Sequence, residues 1–168
     1  MALVKNGAVV PDNFIRAETE GSLPDGPVIV PLTRLLAEHA DLFGRNRPVG
    51  VLVPNDADVR VLEPYLPRLA LVALTFPKYR DGRAFTQARL LRERLAFAGE
   101  LRATGQVLRD QLLLMARCGF DAFEISKPDD VAAFSQALKT YSVFYQPTGD
   151  GRATIRDLRR ATSTVASA

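Results

Sequence analysis

The chain has 168 residues, the length of one ordinary domain, and is 47% hydrophobic and 24% charged with a net charge of +3. These values are typical of soluble globular domains and exclude a disordered, collagen-like or low-complexity chain. The single cysteine, Cys118, and the single histidine, His39, exclude an intramolecular disulfide and fit neither an Fe–S cluster nor a structural zinc site.

The first 26 residues predict a hairpin followed by a loop. Leu3–Lys5 and Ala8–Val10 are short apolar runs, and Asn6 and Gly7 between them are a favoured pair for a type I′ turn. Residues 12–26 are polar and interrupted by Gly and Pro, so we expect a loop that leads into the domain. The start of the chain lacks the pattern of a secretory signal, and no apolar run reaches the roughly 20 residues that cross a bilayer. We therefore expect a cytoplasmic protein.

From residue 28 onwards, short apolar runs alternate with amphipathic stretches. The runs recur about every 22 residues, a spacing typical of successive strand–helix units and a mainly parallel sheet. The six predicted strands are residues 28–30, 49–53, 69–76, 101–103, 122–125 and 143–145. Apolar stripes between them predict helices over residues 59–69, 84–95, 108–115 and 131–141. We expect Pro64 and Pro67 to shorten the first helix, and Gly119 to end the third.

These elements predict a single α/β domain over residues 1–150. Its sheet is either open within three layers or curled into an incomplete barrel, because six strands are too few for a full eight-stranded barrel. Residues 151–168 are expected to form a basic, flexible tail that begins with a short helix.

Positive charge is concentrated in two stretches of the chain. Residues 78–109 contain eight basic and three acidic residues, and residues 152–160 contain four arginines and one aspartate. In the first stretch, Lys78, Arg80 and Arg83 follow a strongly apolar strand and precede a helix. Ligands bind beyond the carboxyl ends of parallel strands, and helix N-termini favour anions, so these residues predict an anion site. The alternatives are a solvated loop in which an aspartate pairs with one arginine, and a protein-docking surface.

Arg102 does not fit the apolar pattern of its predicted strand. It alternates with Leu101 and Ala103, so Arg102 and Thr104 share the opposite face, although a central parallel strand is usually apolar on both faces. A buried arginine needs a carboxylate or a ligand, and Glu124 on the next strand is the expected neighbour. The two residues predict either a structural ion pair or a polar site at the mouth of the sheet.

Arg109 and Asp110 begin the next helix. Arg109 is a further candidate anion ligand, whereas Asp110 could orient Arg102 or Arg109, or act as an acid or base. Asp110 and Glu124 are thus weak catalytic candidates. The sequence has no dinucleotide fingerprint and no phosphate-binding loop, so no cofactor is assigned. The modest charge and the apolar placement of most aromatic residues do not favour nucleic acid as a partner.

Three segments of the chain resemble a bacterial family, the domain of unknown function 934. These are FPKYRDGRAFTQARLLR at residues 76–92, GELRATG at 99–105 with LRDQL at 108–112, and RCGFDAFE at 117–124. The resemblance extends over roughly residues 25–146. Members of this family look like companions of assimilatory sulfite reductase and phosphoadenylylsulfate reductase, and they are often labelled oxidoreductases of sulfite reduction. The family has no established catalytic residues to carry over.

The residues and the resemblance together predict an accessory or anion-binding protein of assimilatory sulfate or sulfite reduction. Its expected ligand is an anionic sulfur metabolite or nucleotide, bound by Lys78, Arg80, Arg83, Arg102 and Arg109. The resemblance implies sulfite reductase or phosphoadenylylsulfate reductase as protein partners, and no membrane partner is expected. One alternative is an enzyme acting on an anionic substrate. Another is a docking module for a sulfite reductase.

Overall fold

One eight-stranded sheet forms the centre of the protein. The computed structural model describes residues 1–126, 129–141, 143–148 and 150–165. In chain order, strands β1 to β8 are Ala2–Lys5, Ala8–Val10, Ile15–Arg16, Val28–Pro31, Val49–Val53, Leu69–Phe76, Glu100–Gly105 and Ala122–Ile125. Their order in the sheet is β2-β1-β8-β7-β6-β5-β4-β3. Strands β3 to β8 run parallel to one another, which confirms the predicted mainly parallel sheet.

The N-terminal hairpin is the antiparallel part of the sheet. Strands β1 and β2 pair around Asn6 and Gly7, whose φ angles are 52° and 79°. Positive φ at both central residues is the requirement of a type I′ turn, so the predicted hairpin is confirmed. Strand β1 also pairs antiparallel with β8, where Leu3 lies opposite Glu124. The hairpin thereby extends the sheet beyond β8.

The sheet is strongly curled. Strand β3 lies at one edge, and in a flat sheet it would be roughly 19 Å from β7 and 24 Å from β8, at about 4.8 Å per strand. Yet Arg16 on β3 donates from Nη2 to Thr104 Oγ1 on β7 at 2.8 Å and to Glu124 Oε2 on β8 at 2.6 Å. An arginine side chain cannot span the flat distance. The sheet is therefore a half-barrel, and of the two predicted architectures the incomplete barrel is the one found.

Helices cover the convex face of this half-barrel. Helices α1 to α5 are Leu32–Gly44, Arg83–Arg89, Leu112–Arg117, Asp129–Lys139 and Ile155–Val165. The main core joins the first three helices to the outward-facing strand residues, with members that include Leu35, Ala88, Met115, Val51, Leu74 and Phe123. A smaller core of Ile29, Leu71 and Ala73 lies on the concave face. Phe14 and Leu52 pack against this smaller core.

The predicted helix end at Gly119 is confirmed. Gly119 has φ +100°, and its amide donates to the carbonyl of Ala116 at 3.0 Å. The amide of Phe120 donates to the carbonyl of Met115 at 3.2 Å. These two bonds form a Schellman motif, in which glycine supplies the left-handed residue after the helix.

Two predicted elements in the middle of the chain have a different form. Instead of one helix over residues 59–69, the chain makes two 3₁₀ turns, Val59–Leu62 and Leu66–Arg68, because two prolines remove the amide donors that a longer helix requires. Beyond α2, the predicted helix continues as a π-helical turn, Leu90–Arg94.

Two predictions about strands are wrong. Residues 143–145 do not form a sixth strand of the sheet, and Phe144 makes only an isolated bridge with Thr154. The position next to β8 is taken by β1, so no sheet edge remains there for this run. Conversely, the predicted loop over residues 12–26 contains β3, which is only two residues long and pairs with β4.

Candidate functional site

The β6 loop, residues 77–82, lies beyond the carboxyl end of β6 and carries the predicted anion ligands. The amide of Asp81 donates to the carbonyl of Lys78 at 3.0 Å, which closes a turn. Lys78 and Arg80 are both exposed on this turn. The turn therefore presents two cations to solvent at the edge of the sheet where ligands of parallel folds bind.

The β7 loop, residues 106–111, holds the β6 loop in place. The amide of Tyr79 donates to Gln106 Oε1, and Gln111 Nε2 donates to the carbonyl of Tyr79, both at 3.0 Å. The two loops start close together, at the adjacent strand ends Phe76 and Gly105. Glycine permits this approach, because φ is +90° at position 105 and a Cβ there would lie 2.5 Å from the Phe76 carbonyl oxygen. Both main-chain groups of Tyr79 are thus fixed by side chains of the next loop.

Arg83 differs from Lys78 and Arg80 because its charge is already paired. Its Nε and Nη2 donate to the two carboxylate oxygens of Asp81 at 2.9 and 2.7 Å. The Arg83 guanidinium holds the pKa of the Asp81 carboxyl well below its usual range. Asp81 also accepts from the Arg83 amide at 3.3 Å. The carboxylate of Asp81 thus occupies the start of α2, where the sequence predicted a bound anion.

Lys78, Arg80 and Arg109 form the unpaired set of exposed cations on these two loops. No described carboxylate makes an ion pair with any of the three. Arg80 Nε donates to the Tyr79 hydroxyl at 2.5 Å, a neutral partner that leaves its charge uncompensated. Arg109 begins a 3₁₀ turn in the β7 loop, and it lines a cleft with Asp110, Gln136 and Thr140.

Arg102 lies elsewhere, at the centre of the concave face. It is only 1% exposed, and its guanidinium donates to Glu100 at 2.7 Å, Asp12 at 2.7 Å and Glu124 at 3.2 Å. The predicted proximity of Arg102 and Glu124 is confirmed. Burial alone would lower the pKa of Arg102, but its hydrogen bonds with Asp12 and Glu100 raise it further above its ordinary value. Arg102 is therefore a permanent buried cation that carboxylates neutralise.

The concave cluster is electrically balanced. Its six charged members are Lys5, Arg16, Arg102, Asp12, Glu100 and Glu124, three of each sign. Lys5 forms an ion pair with Glu100, and Arg16 donates to Glu124. Burial would raise the pKa of Asp12, but the bonds from Arg102 and from the amide of Phe14 lower it. A cluster with matched charges stabilises the half-barrel and offers little attraction to a further anion.

The two catalytic candidates have different surroundings. The carboxylate of Glu124 accepts from Arg16, Arg102 and the Thr104 hydroxyl, the last at 2.6 Å. Asp110 is exposed in the β7 loop and is not a partner of Arg102, whose three carboxylates lie elsewhere. Glu124 thus lies in contact with Arg16 and Arg102, whereas Asp110 lies in the β7 loop, so the two candidates do not share cations.

Cys118 is a buried thiol at the end of α3. Burial raises its pKa, and the nearby Glu93 acts in the same direction, whereas Arg89 opposes them. A thiol with a raised pKa is a poor nucleophile at neutral pH. In the described part of the chain, no three His, Cys, Asp or Glu side chains are grouped so as to hold a metal ion.

Sequence reasoning missed Asp12 and Arg16. Both lie in the polar stretch that was predicted to be a loop, and neither belongs to a periodic pattern. Their partners Arg102 and Glu124 are 90 and 108 residues away in the chain. The one usable signal was Arg102 itself, since a buried arginine has five N–H donors and needs more than one hydrogen-bond acceptor.

Comparison with known proteins places the chain in a family. The model of a family described as bacterial protein of unknown function (DUF934) matches residues 50–156, more than half of the chain. The chain belongs to the DUF934 family. The matched range begins in β5 and contains the β6 loop and the β7 loop, so the DUF934 match covers the exposed cations. Of the six charged members of the concave cluster, it contains Glu100, Arg102 and Glu124. Among curated proteins, none matches this DUF934 member significantly. None of its described helices is both long and apolar enough to span a bilayer.

Proposed function

We propose that this protein is an accessory protein of assimilatory sulfate or sulfite reduction that binds an anionic sulfur metabolite or nucleotide. The proposed ligands of the anion are Lys78, Arg80 and Arg109. The observation that carries the proposal is their position: three exposed cations, without an ion pair to a described carboxylate, lie beyond the carboxyl ends of neighbouring parallel strands.

The three cations suit an oxyanion by their chemistry. The guanidinium groups of Arg80 and Arg109 can donate two parallel hydrogen bonds to a sulfate or phosphate group, and Lys78 adds a compact point charge. Arg83 and Arg102 are less suitable because each is already bonded to carboxylates. The link to sulfur assimilation comes from the family resemblance of the segments at residues 76–92 and 99–112.

A thermal-shift screen tests the proposal. The panel contains sulfite, sulfate, phosphate, adenylylsulfate and phosphoadenylylsulfate, at low and physiological salt. A ligand at about 100 times its Kd adds roughly 2.7 kcal/mol, which is a shift of several degrees for a domain of this size. We expect the shift to vanish in the double variant Lys78→Gln/Arg80→Gln and to persist in Arg94→Gln, which removes another exposed arginine.

Two results of this thermal-shift screen would refute the proposal. No shift with any of these anions, or an equal shift in the wild type and the Lys78→Gln/Arg80→Gln variant, would remove the proposed site. A shift that occurs only at low salt with all anions alike would indicate screening of surface charge and not a binding site.

Docking on a sulfite reductase is the second candidate function, and the C-terminal region favours it. Tyr145 is 85% exposed, and Arg156 and Arg159 are exposed on α5. These residues line a cleft of about 700 Å³ together with Pro147 and Ile155. Tyrosine and arginine are enriched at protein interfaces. Sedimentation of the purified protein with sulfite reductase subunits tests this candidate, and unchanged sedimentation of both proteins at micromolar concentration would exclude it.

A further inference from the structure

Tyr79 is an exposed aromatic side chain on a fixed section of main chain. It is 48% exposed, although it lies in a loop whose main-chain groups are bonded on both sides of its Cα. Gln106 and Gln111 provide those bonds, and each side chain comes from the neighbouring loop. These two side-chain bonds fix the main chain of Tyr79, and thereby the point from which its exposed ring projects beside Arg80.

Arg80 lies against the Tyr79 ring. Its Cζ atom is 5.2 Å from the ring centroid, within the range of a cation–π contact. Its Nε also donates to the tyrosine hydroxyl. This arrangement places a guanidinium beside an aromatic side chain that remains nearly half exposed, so one ligand could contact both the ring and the charge.

We infer that the anion bound here is a nucleotide, with its base stacked on Tyr79 and its phosphate or phosphosulfate group bound by Lys78, Arg80 and Arg109. This inference rests on the proposed function and narrows its ligand class. A bare oxyanion would use the cations alone and would leave the exposed part of the Tyr79 ring without a contact. A nucleotide has an aromatic plane and an anionic group a few bonds apart, which matches the pairing of Tyr79 with the flanking cations.

The size of the stacking contribution distinguishes a nucleotide from a simple anion. Stacking of a base on an aromatic side chain strengthens binding by about 5- to 150-fold, as judged from alanine substitutions. We therefore expect AMP and adenylylsulfate to bind at least about 5-fold more tightly than ribose 5-phosphate or inorganic phosphate. The Tyr79→Leu variant should lose this preference but keep its affinity for phosphate, whereas Tyr79→Phe should retain the preference.

Tyrosine fluorescence gives a direct readout of the contact. The sequence has four tyrosines and no tryptophan, so tryptophan emission does not mask the tyrosine signal, to which Tyr79 contributes. A base stacked on Tyr79 should quench part of the emission, after correction for light absorbed by the nucleotide, and ribose 5-phosphate should not. Tyr141→Leu is the matched control, because Tyr141 is also exposed but lies outside the two loops. Calorimetric titration of each variant supplies the affinities.

The outcomes separate this inference from the proposed function. If AMP, adenylylsulfate, ribose 5-phosphate and phosphate all fail to bind, and sulfite, sulfate and phosphoadenylylsulfate fail as well, both proposals are overturned. If phosphate and ribose 5-phosphate bind through Lys78 and Arg80 but AMP binds no more tightly, the anion site stands and the nucleotide inference is refuted. A nucleotide preference that survives Tyr79→Leu also refutes it. Preference and quenching that are lost in Tyr79→Leu and kept in Tyr141→Leu support it.

Discussion

Removal of the Arg102 guanidinium should destabilise the whole half-barrel. Arg102→Met keeps much of the side-chain volume but deletes a cation that is 1% exposed and bonded to three carboxylates. Breaking a buried ion pair by removal of one partner costs about 3–5 kcal/mol. Glu100 retains Lys5 and Glu124 retains Arg16 in the variant, so we expect the lower end of this range.

A loss of about 3 kcal/mol corresponds to a fall in Tm of roughly 6–12 °C for a domain of this size. Urea unfolding followed by circular dichroism measures the free energy of unfolding, and a thermal scan measures Tm. Arg94→Met is the control, because that exposed arginine should change stability by no more than about 0.5 kcal/mol. If Arg102→Met costs less than about 1 kcal/mol, the concave cluster does not hold the curled sheet together and the reasoning is refuted.

Three further perturbations test other parts of the fold. The fold lowers the pKa of Asp12, so its ionised form adds stability above about pH 4 that is lost as pH falls. The Asp12→Asn variant should therefore be less stable than the wild type at pH 7 and should lose less stability on acidification. Urea unfolding in which the free energy of unfolding has the same pH dependence in both proteins would contradict this. Gly105→Ala should lower Tm by several degrees, because φ is +90° and the new Cβ would lie 2.5 Å from the Phe76 carbonyl oxygen. Gly44→Ala is the control and should leave Tm unchanged, because its new Cβ would meet no atom within 4 Å. Cys118 should react slowly with a thiol reagent until urea unfolds the chain, because burial raises its pKa; rapid labelling of the native protein would show an accessible thiol.

Much of the architecture could be predicted from the sequence because its signals are local. The spacing of apolar runs predicted the parallel strands, Asn6 and Gly7 predicted the hairpin turn, and Gly119 predicted a helix end. The strand residues 143–145 were predicted wrongly for the same reason. Their apolar pattern is that of a strand, but it carries no information that β1 already occupies the neighbouring edge of the sheet.

The candidate site could be predicted only in part. The alternation of Arg102 with apolar neighbours indicated a buried cation, and Glu124 was identified as its neighbour. The partner Glu100 lies two residues before Arg102 on the same strand, so the alternation of side chains places it on the same face. The partner Asp12 is 90 residues away in the chain, and its contact depends on how the sheet curls, which no local pattern encodes. In the β6 loop, the sequence did not decide which arginine Asp81 would pair with. The geometry assigns Arg83, and it thereby leaves Lys78 and Arg80 as the unpaired cations.

The position of the N-terminal residues has a consequence for synthesis of the chain. Strand β1 pairs with β2 and β8, and Arg16 makes side-chain bonds with residues on β7 and β8. At about 5–20 residues per second, a ribosome needs roughly 5–20 seconds to extend the chain from Arg16 to the end of β8. During that interval the hairpin lacks its neighbour β8, and Arg16 lacks the carboxylate of Glu124. The half-barrel can therefore close only after translation has passed Ile125, the last residue of β8.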